Sequence, residues 1–207
     1  MGYADDTTIF VVSVLSMIFV FTILNHFQLA SSIKLNMNKT KIFGFGDWKD
    51  RHDWPYKEVT VKTSNITILG IIFSNHFNEA VEAQWSDVLS KVKHHVNILK
   101  SRSFTLFQRA IIINNIILSK VWYTAHTYPL TTKYAKLINK EIFRFLWLSN
   151  LNPIKRDFLY QSKLKGGLEI SNVSHKSQSI LASIFLTQFL NSTENDSFFK
   201  ILLCIKS

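Results

Sequence analysis

The chain has 207 residues, with 24 Lys and Arg against 14 Asp and Glu and a formal net charge of +10. A hydrophobic share of 47% can fill a core and argues against wholesale disorder, while a charged share of only 18% with a basic excess suits a polyanion binder or a membrane-associated chain. The lone Cys204 excludes an internal disulfide framework, a zinc knuckle and a CxxC redox site.

In chain order, Met1-Gly2-Tyr3-Ala4-Asp5-Asp6 puts two carboxylates where a secretory signal would carry lysines, so the chain reads as intracellular and not secreted. No charged side chain follows until Lys34, and Ile9 to Leu24 is apolar apart from Ser13, Ser16 and Thr22. Such a run sits at the lower edge of bilayer-spanning length, and it equally suits a buried strand entering a core helix. From Lys34 to Phe73 the pattern is strand-like. Lys41 to Gly46 is short and aromatic, Glu58 to Lys62 alternates with period two, and Thr63-Ser64-Asn65 marks a turn before the apolar run Ile66 to Phe73. These two runs predict a hairpin with one buried face.

From Asn78 the period becomes helical. Val81, Trp85, Val88, Val92, Val96 and Leu99 form one stripe. Thr105-Leu106-Phe107-Gln108 has the capping-box pattern, opening a second helix with Leu106, Ala110, Ile113, Ile117 and Val121 on one face that must stop before Pro129. A third runs from about Thr132 to Ser149 through Leu137, Ile138, Ile142, Phe145 and Leu146, before Pro153. Beyond it, Gly166-Gly167 reads as a turn and Ile180 to Leu190 as an apolar helix.

Three groups could carry chemistry. Adjacent Asp5 and Asp6 suit a divalent metal because hard cations take oxygen ligands, and the alternative is a solvated turn. His94 and His95 diverge by about 100° on a helix and cannot chelate together. Between Glu79 and Glu169, fourteen Lys and Arg stand against six Asp and Glu, so +8 of the net charge lies there. Lys91, Lys93, Lys100, Arg102, Arg109, Lys120, Lys133, Lys136, Lys140 and Arg144 all belong to the three predicted helices, interleaved with Tyr123, Tyr128 and Tyr134. That pattern suits phosphate tracking with base stacking, or a solvated helical face.

Taken in order, these residues resemble the C-terminal half of the reverse transcriptase of non-LTR (LINE-type) retrotransposons. Tyr3-Ala4-Asp5-Asp6-Thr7 resembles the palm signature YADD, and Leu35-Asn36-Met37-Asn38-Lys39-Thr40-Lys41 resembles the "LN..KT" segment. Ile68-Leu69-Gly70-Ile71 resembles "YLGI", with Ile68 where Tyr is usual. Arg109, Ile112 to Asn114, Leu118-Ser119-Lys120 and Trp122-Tyr123 resemble "GR..IIN..LLSK..Y", with Gln108 replacing Gly. Phe145-Leu146-Trp147 and Gly166-Gly167-Leu168 resemble "FLW" and "GGL". The likeness spans Tyr3 to about Ile170.

The resemblance implies an α+β chain: a partial palm (hairpin, helix, small antiparallel sheet) over 1–76, a helical thumb bundle over 77–150, and a partly helical connection over 151–207. It implies that Asp5 and Asp6 are catalytic ligands of a two-Mg²⁺ nucleotidyl-transfer site, with Tyr3, Ala4 and Lys39 near primer or nucleotide, and no small-molecule cofactor. RNA template and DNA primer are the implied partners, in cytoplasm or nucleus, with the ten basic residues on nucleic acid. Only Met1 and Gly2 precede the signature, so the upstream catalytic Asp and the fingers have no counterpart here. The expectation is a truncated RNA-directed DNA polymerase, inactive alone. The alternatives are a basic nucleic-acid-binding remnant and a small protein anchored in a membrane by Thr7 to Leu24.

Overall fold

Strand and helix are unevenly shared along the chain. The computed structural model, which describes residues 2–3, 6–51, 54–56 and 59–191, is α+β and divides into two compact units, Met1–Ala80 and Val81–Ser207.

In the first unit, β1 (Gly2–Tyr3) pairs antiparallel with β2 (Asp6–Thr7), with Gly2 opposite Thr7 and Tyr3 opposite Asp6. The strand expected through the apolar run ends at Thr7, and the rest of that run enters α1 (Val14–Ser31). Ser13 starts this helix because its Oγ accepts the Ser16 N–H at 3.0 Å, meeting one of the donors a helix start leaves over. Ser32 stops it in the left-handed region at φ 61°, donating its N–H to the Gln28 carbonyl. Only Met17 and Phe21, one turn apart, are buried. They meet Val59, with Leu35, Met37, Ile42, Trp54 and Tyr56 around them.

The remaining strands correct the expected pairing. β3 (Lys41–Phe43) runs parallel to β4 (Thr60–Lys62), with Ile42 opposite Val61. The run Ile66 to Phe73 is not one strand but two, β5 (Asn65–Ile68) and β6 (Ile71–Ser74), folded back antiparallel. The cause is the two-residue turn Leu69-Gly70, where both residues have positive φ, 49° and 81°, as a type I′ turn requires. Glycine adopts this freely; leucine does so at a cost of about 1 kcal/mol or more. Among the described residues the strands thus form three separate two-stranded sheets, two antiparallel and one parallel; period-two alternation predicts a strand and not its neighbour.

α2 (Phe77–Lys100) leads into the second unit and buries Val81, Trp85, Val88, Val92 and Val96 as the stripe predicts. The capping box forms: Gln108 N–H donates to Thr105 Oγ1 at 3.3 Å and Thr105 N–H to Gln108 Oε1 at 2.9 Å. The helix it opens is not uniform. α3 (Leu106–Ile112) passes through a π-helical stretch, Ile113–Ile117, into α4 (Leu118–Ala125). α5 (Thr132–Trp147) buries Ile138, Ile142, Phe145 and Leu146, but Leu137 is exposed, lying about 100° from Ile138 on the lysine-bearing side. After α6 (Arg156–Tyr160) and a single 3₁₀ turn, Lys163–Lys165, α7 (Val173–Asn191) packs on α4 and α5.

Candidate nucleic-acid interface

Burying Trp85, Val92 and Val96 turns the opposite side of α2 to solvent, and burying Ile138 and Ile142 does the same for α5. Two tie points join these helices. Lys133 forms an ion pair with Glu82, whose carboxylate also accepts from Tyr134 Oη at 3.0 Å. Arg144 Nη2 donates to Asn97 Oδ1 at 3.3 Å and pairs with Glu141 at 2.6 Å. The early residues of both helices meet at one tie and the late residues at the other, so α2 and α5 run in the same direction along a shared seam.

At 100° per residue, Lys93 and Lys100 lie on the same edge of α2 as Glu82, and Lys136 and Lys140 on the same edge of α5 as Lys133 and Arg144. Six cations from two stretches some forty residues apart in sequence thus border one seam. Lys133 and Arg144 are pinned. Lys93, Lys100, Lys136 and Lys140 are exposed and form no ion pair among the described residues. The Lys133–Glu82 hydrogen bond holds the carboxyl below its ordinary range and the ammonium above its own, so both stay charged across neutral pH.

The other basic candidates are placed differently. Lys91 takes the far edge of α2 and pairs with Asp87 at 2.6 Å. Arg102, expected on a helix, is instead exposed in the bend past the end of α2 at Lys100, and Lys120 is half-buried on α4. Arg109 turns inward. Its Nη1 donates to the Leu146 carbonyl at 2.9 Å and its Nη2 to the Phe104 carbonyl at 2.8 Å. The guanidinium thereby satisfies a carbonyl in the last turn of α5, where helix geometry leaves acceptors over and the dipole favours a cation. Of the three tyrosines, only Tyr123 is exposed; Tyr128 and Tyr134 are buried and cannot stack on bases. Burial pushes the Tyr128 phenol above its usual pKa.

In the first unit, Ala4 and Asp5 lie outside the described residues, while the backbones of Tyr3 and Asp6 pair across β1 and β2. Among the described residues no three His, Cys, Asp or Glu side chains are grouped to hold a metal. Lys39 is exposed on a turn governed by Asn36, whose Oδ1 and carbonyl accept the Lys39 N–H at 3.2 and 3.1 Å. Thr40 Oγ1 donates to the same carbonyl at 2.9 Å.

The Asn114 side chain has a role that its motif does not announce. Its Nδ2 donates to the Glu169 carbonyl at 2.9 Å and its Oδ1 accepts the Ser171 N–H at 3.0 Å, fixing the segment after Gly166-Gly167 against the π stretch. An asparagine within an apolar helical run was the available signal, since a half-buried amide needs partners. No family model matches the sequence, and no curated protein matches it.

Proposed function

We propose that this chain carries the last part of the palm and the thumb of a LINE-type reverse transcriptase, and that its helical unit grips a template–primer duplex through the phosphate backbone. The observation that carries the reading is the cationic seam between α2 and α5, with four exposed lysines on a closed apolar core. The ordered series of motif resemblances from Tyr3 to Ile170 supports the same reading. Titration of the full chain with a labelled RNA–DNA duplex at several salt concentrations tests it. Binding should weaken as salt rises, and Lys136→Ala with Lys140→Ala should reduce the salt slope by about two, whereas Lys91→Ala on the far edge should leave it nearly unchanged. Absence of low-salt binding, or equal slopes for all variants, would overturn the seam.

Catalysis by these 207 residues is a separate matter. They contain no segment resembling the fingers, and orientation of both reactants supplies much of an enzyme's rate. Primer extension with Mg²⁺ or Mn²⁺ on an RNA template should show no incorporation. Incorporation abolished by Asp5→Ala and by Asp6→Ala would reverse that expectation.

A second reading rests on α1. This 18-residue helix has a mean hydropathy of 1.6, is mostly exposed, and lies in a stretch with no charge between Asp6 and Lys34. Its length of roughly 27 Å falls just short of a hydrocarbon core. Carbonate-resistant membrane association with one protected terminus would establish an anchor, and complete extraction would remove it.

A further inference from the structure

Leu164 is 99% exposed, at the tip of the 3₁₀ turn Lys163–Lys165. The turn is held from several sides. The Lys165 and Gly167 N–H groups both donate to the Ser162 carbonyl, at 2.9 and 3.0 Å, and the Glu169 N–H donates to the Gln161 carbonyl at 2.9 Å. Gly166 leaves the turn at φ 79°, and a Cβ on Gly167 would stand 2.0 Å from the Gln161 carbonyl oxygen, so only glycine fits there. Leu168 and Ile170 are buried beneath, each donating its N–H to the Leu159 carbonyl, and Asn114 clamps Glu169 and Ser171. A fixed scaffold therefore presents one fully exposed leucine between two lysines, shortly after Lys155 and Arg156. The nearby carboxylates are Asp157 and Glu169, the latter 3.9 Å from the Lys163 ammonium. Lys165 and Lys155 form no ion pair among the described residues.

We infer that Leu164 is a wedge that enters a base step of the bound duplex, with Lys165 and Lys163 on the flanking phosphates. The inference rests on the nucleic-acid reading above and adds the contact that is not electrostatic. A polyanion with apolar faces between its charges matches a single apolar side chain flanked by cations on a rigid turn, and aliphatic wedges of this size unstack base steps. Stable attachment to lipid requires a broad apolar face or more than one anchor, and one leucine is too little.

The test uses the full chain, a labelled RNA–DNA duplex carrying 2-aminopurine in its DNA strand, and vesicles containing 30% phosphatidylserine. Leu164→Ala should weaken duplex binding about tenfold, the low end for burial of one leucine, and should abolish the 2-aminopurine fluorescence rise without changing the salt slope. Lys165→Ala should lower the slope by about one and keep the fluorescence rise. Salt-sensitive binding indifferent to Leu164→Ala would overturn the wedge and leave the seam standing. Absence of any duplex binding by the unsubstituted chain would overturn both. Vesicle binding that depends on Leu164 while duplex binding does not would assign the tip to lipid and overturn the inference.

Discussion

The two units differ in charge and in how they treat apolar surface. Met1–Ala80 carries seven Lys and Arg against seven Asp and Glu, whereas Val81–Ser207 carries seventeen against seven, so the whole net charge belongs to the helical unit. Among the described residues the first unit buries five apolar side chains and the second twenty-four. Both units also expose apolar side chains, the first Phe10, Val12, Leu15, Phe19 and Leu29 over one short stretch, the second Leu151, Leu164 and Leu190 among others, but only the second sets a large core against them. A self-sufficient core lets the helical unit hold like charges side by side on a fixed surface. The neutral unit has apolar surface still to cover and little charge to keep it apart from other chains.

Core truncations should separate the two most sharply. Trp85 is fully buried and its Nε1 donates to the Pro129 carbonyl at 2.9 Å, so Trp85→Ala should cost about 3–5 kcal/mol in chemical denaturation followed by circular dichroism. Phe21 meets Tyr56 at a centroid distance of 4.0 Å in a small cluster, and Phe21→Ala should cost roughly 2 kcal/mol, less than a closed core would lose. Equal losses would erase the contrast. Next in size, Asn114→Ala strands the Glu169 carbonyl and the Ser171 N–H, and should cost about 2 kcal/mol while raising amide exchange between Gly166 and Ser171.

Alkaline pH sharpens the comparison differently. Burial raises the pKa of Tyr128 and Tyr160 in the folded helical unit, so the folded state keeps protons that the unfolded chain releases. Their contribution to stability is complete below the unfolded tyrosine pKa, about 10, and is lost as pH rises through the higher folded values. Thermal unfolding at stepped pH should show this decline, and Tyr128→Phe should flatten it. The smallest effect belongs to α1: Leu15→Lys with Phe19→Lys should change stability by no more than about 0.5 kcal/mol per site while markedly reducing light scattering. A loss of several kcal/mol would show that these side chains are covered after all.

Helix existence and the capping box at Thr105 were legible because they depend on local spacing. Strand partners were not. Nothing in Ile66 to Phe73 announced a turn at Leu69, since leucine rarely adopts positive φ and Gly70 alone is a weak signal. In the sequence Arg109 and Asn114 are members of a pattern; the structure shows what they hold. Arg109 ties the start of α3 to Leu146 of the Phe145-Leu146-Trp147 segment, and Asn114 ties the π stretch to the backbone after Gly166-Gly167. Residues separated in sequence by 37 and 55 positions reveal such bonds only when the chain is folded. The ten basic candidates were visible as a count. Their sorting into six on a seam and four elsewhere depended on which helix edges face each other.

The shared direction of α2 and α5 has a kinetic consequence. Two helices joined by a tight turn must run in opposite directions, so this pair can form only after the intervening chain has travelled back through α3 and α4. Contacts such as Glu82 with Lys133 and Asn97 with Arg144 close loops of about fifty residues and belong late in folding, after the local helices have formed. During synthesis, α2 therefore leaves the ribosome long before its partner, and the paired lysine edges come into being only when the last turn of α5 docks.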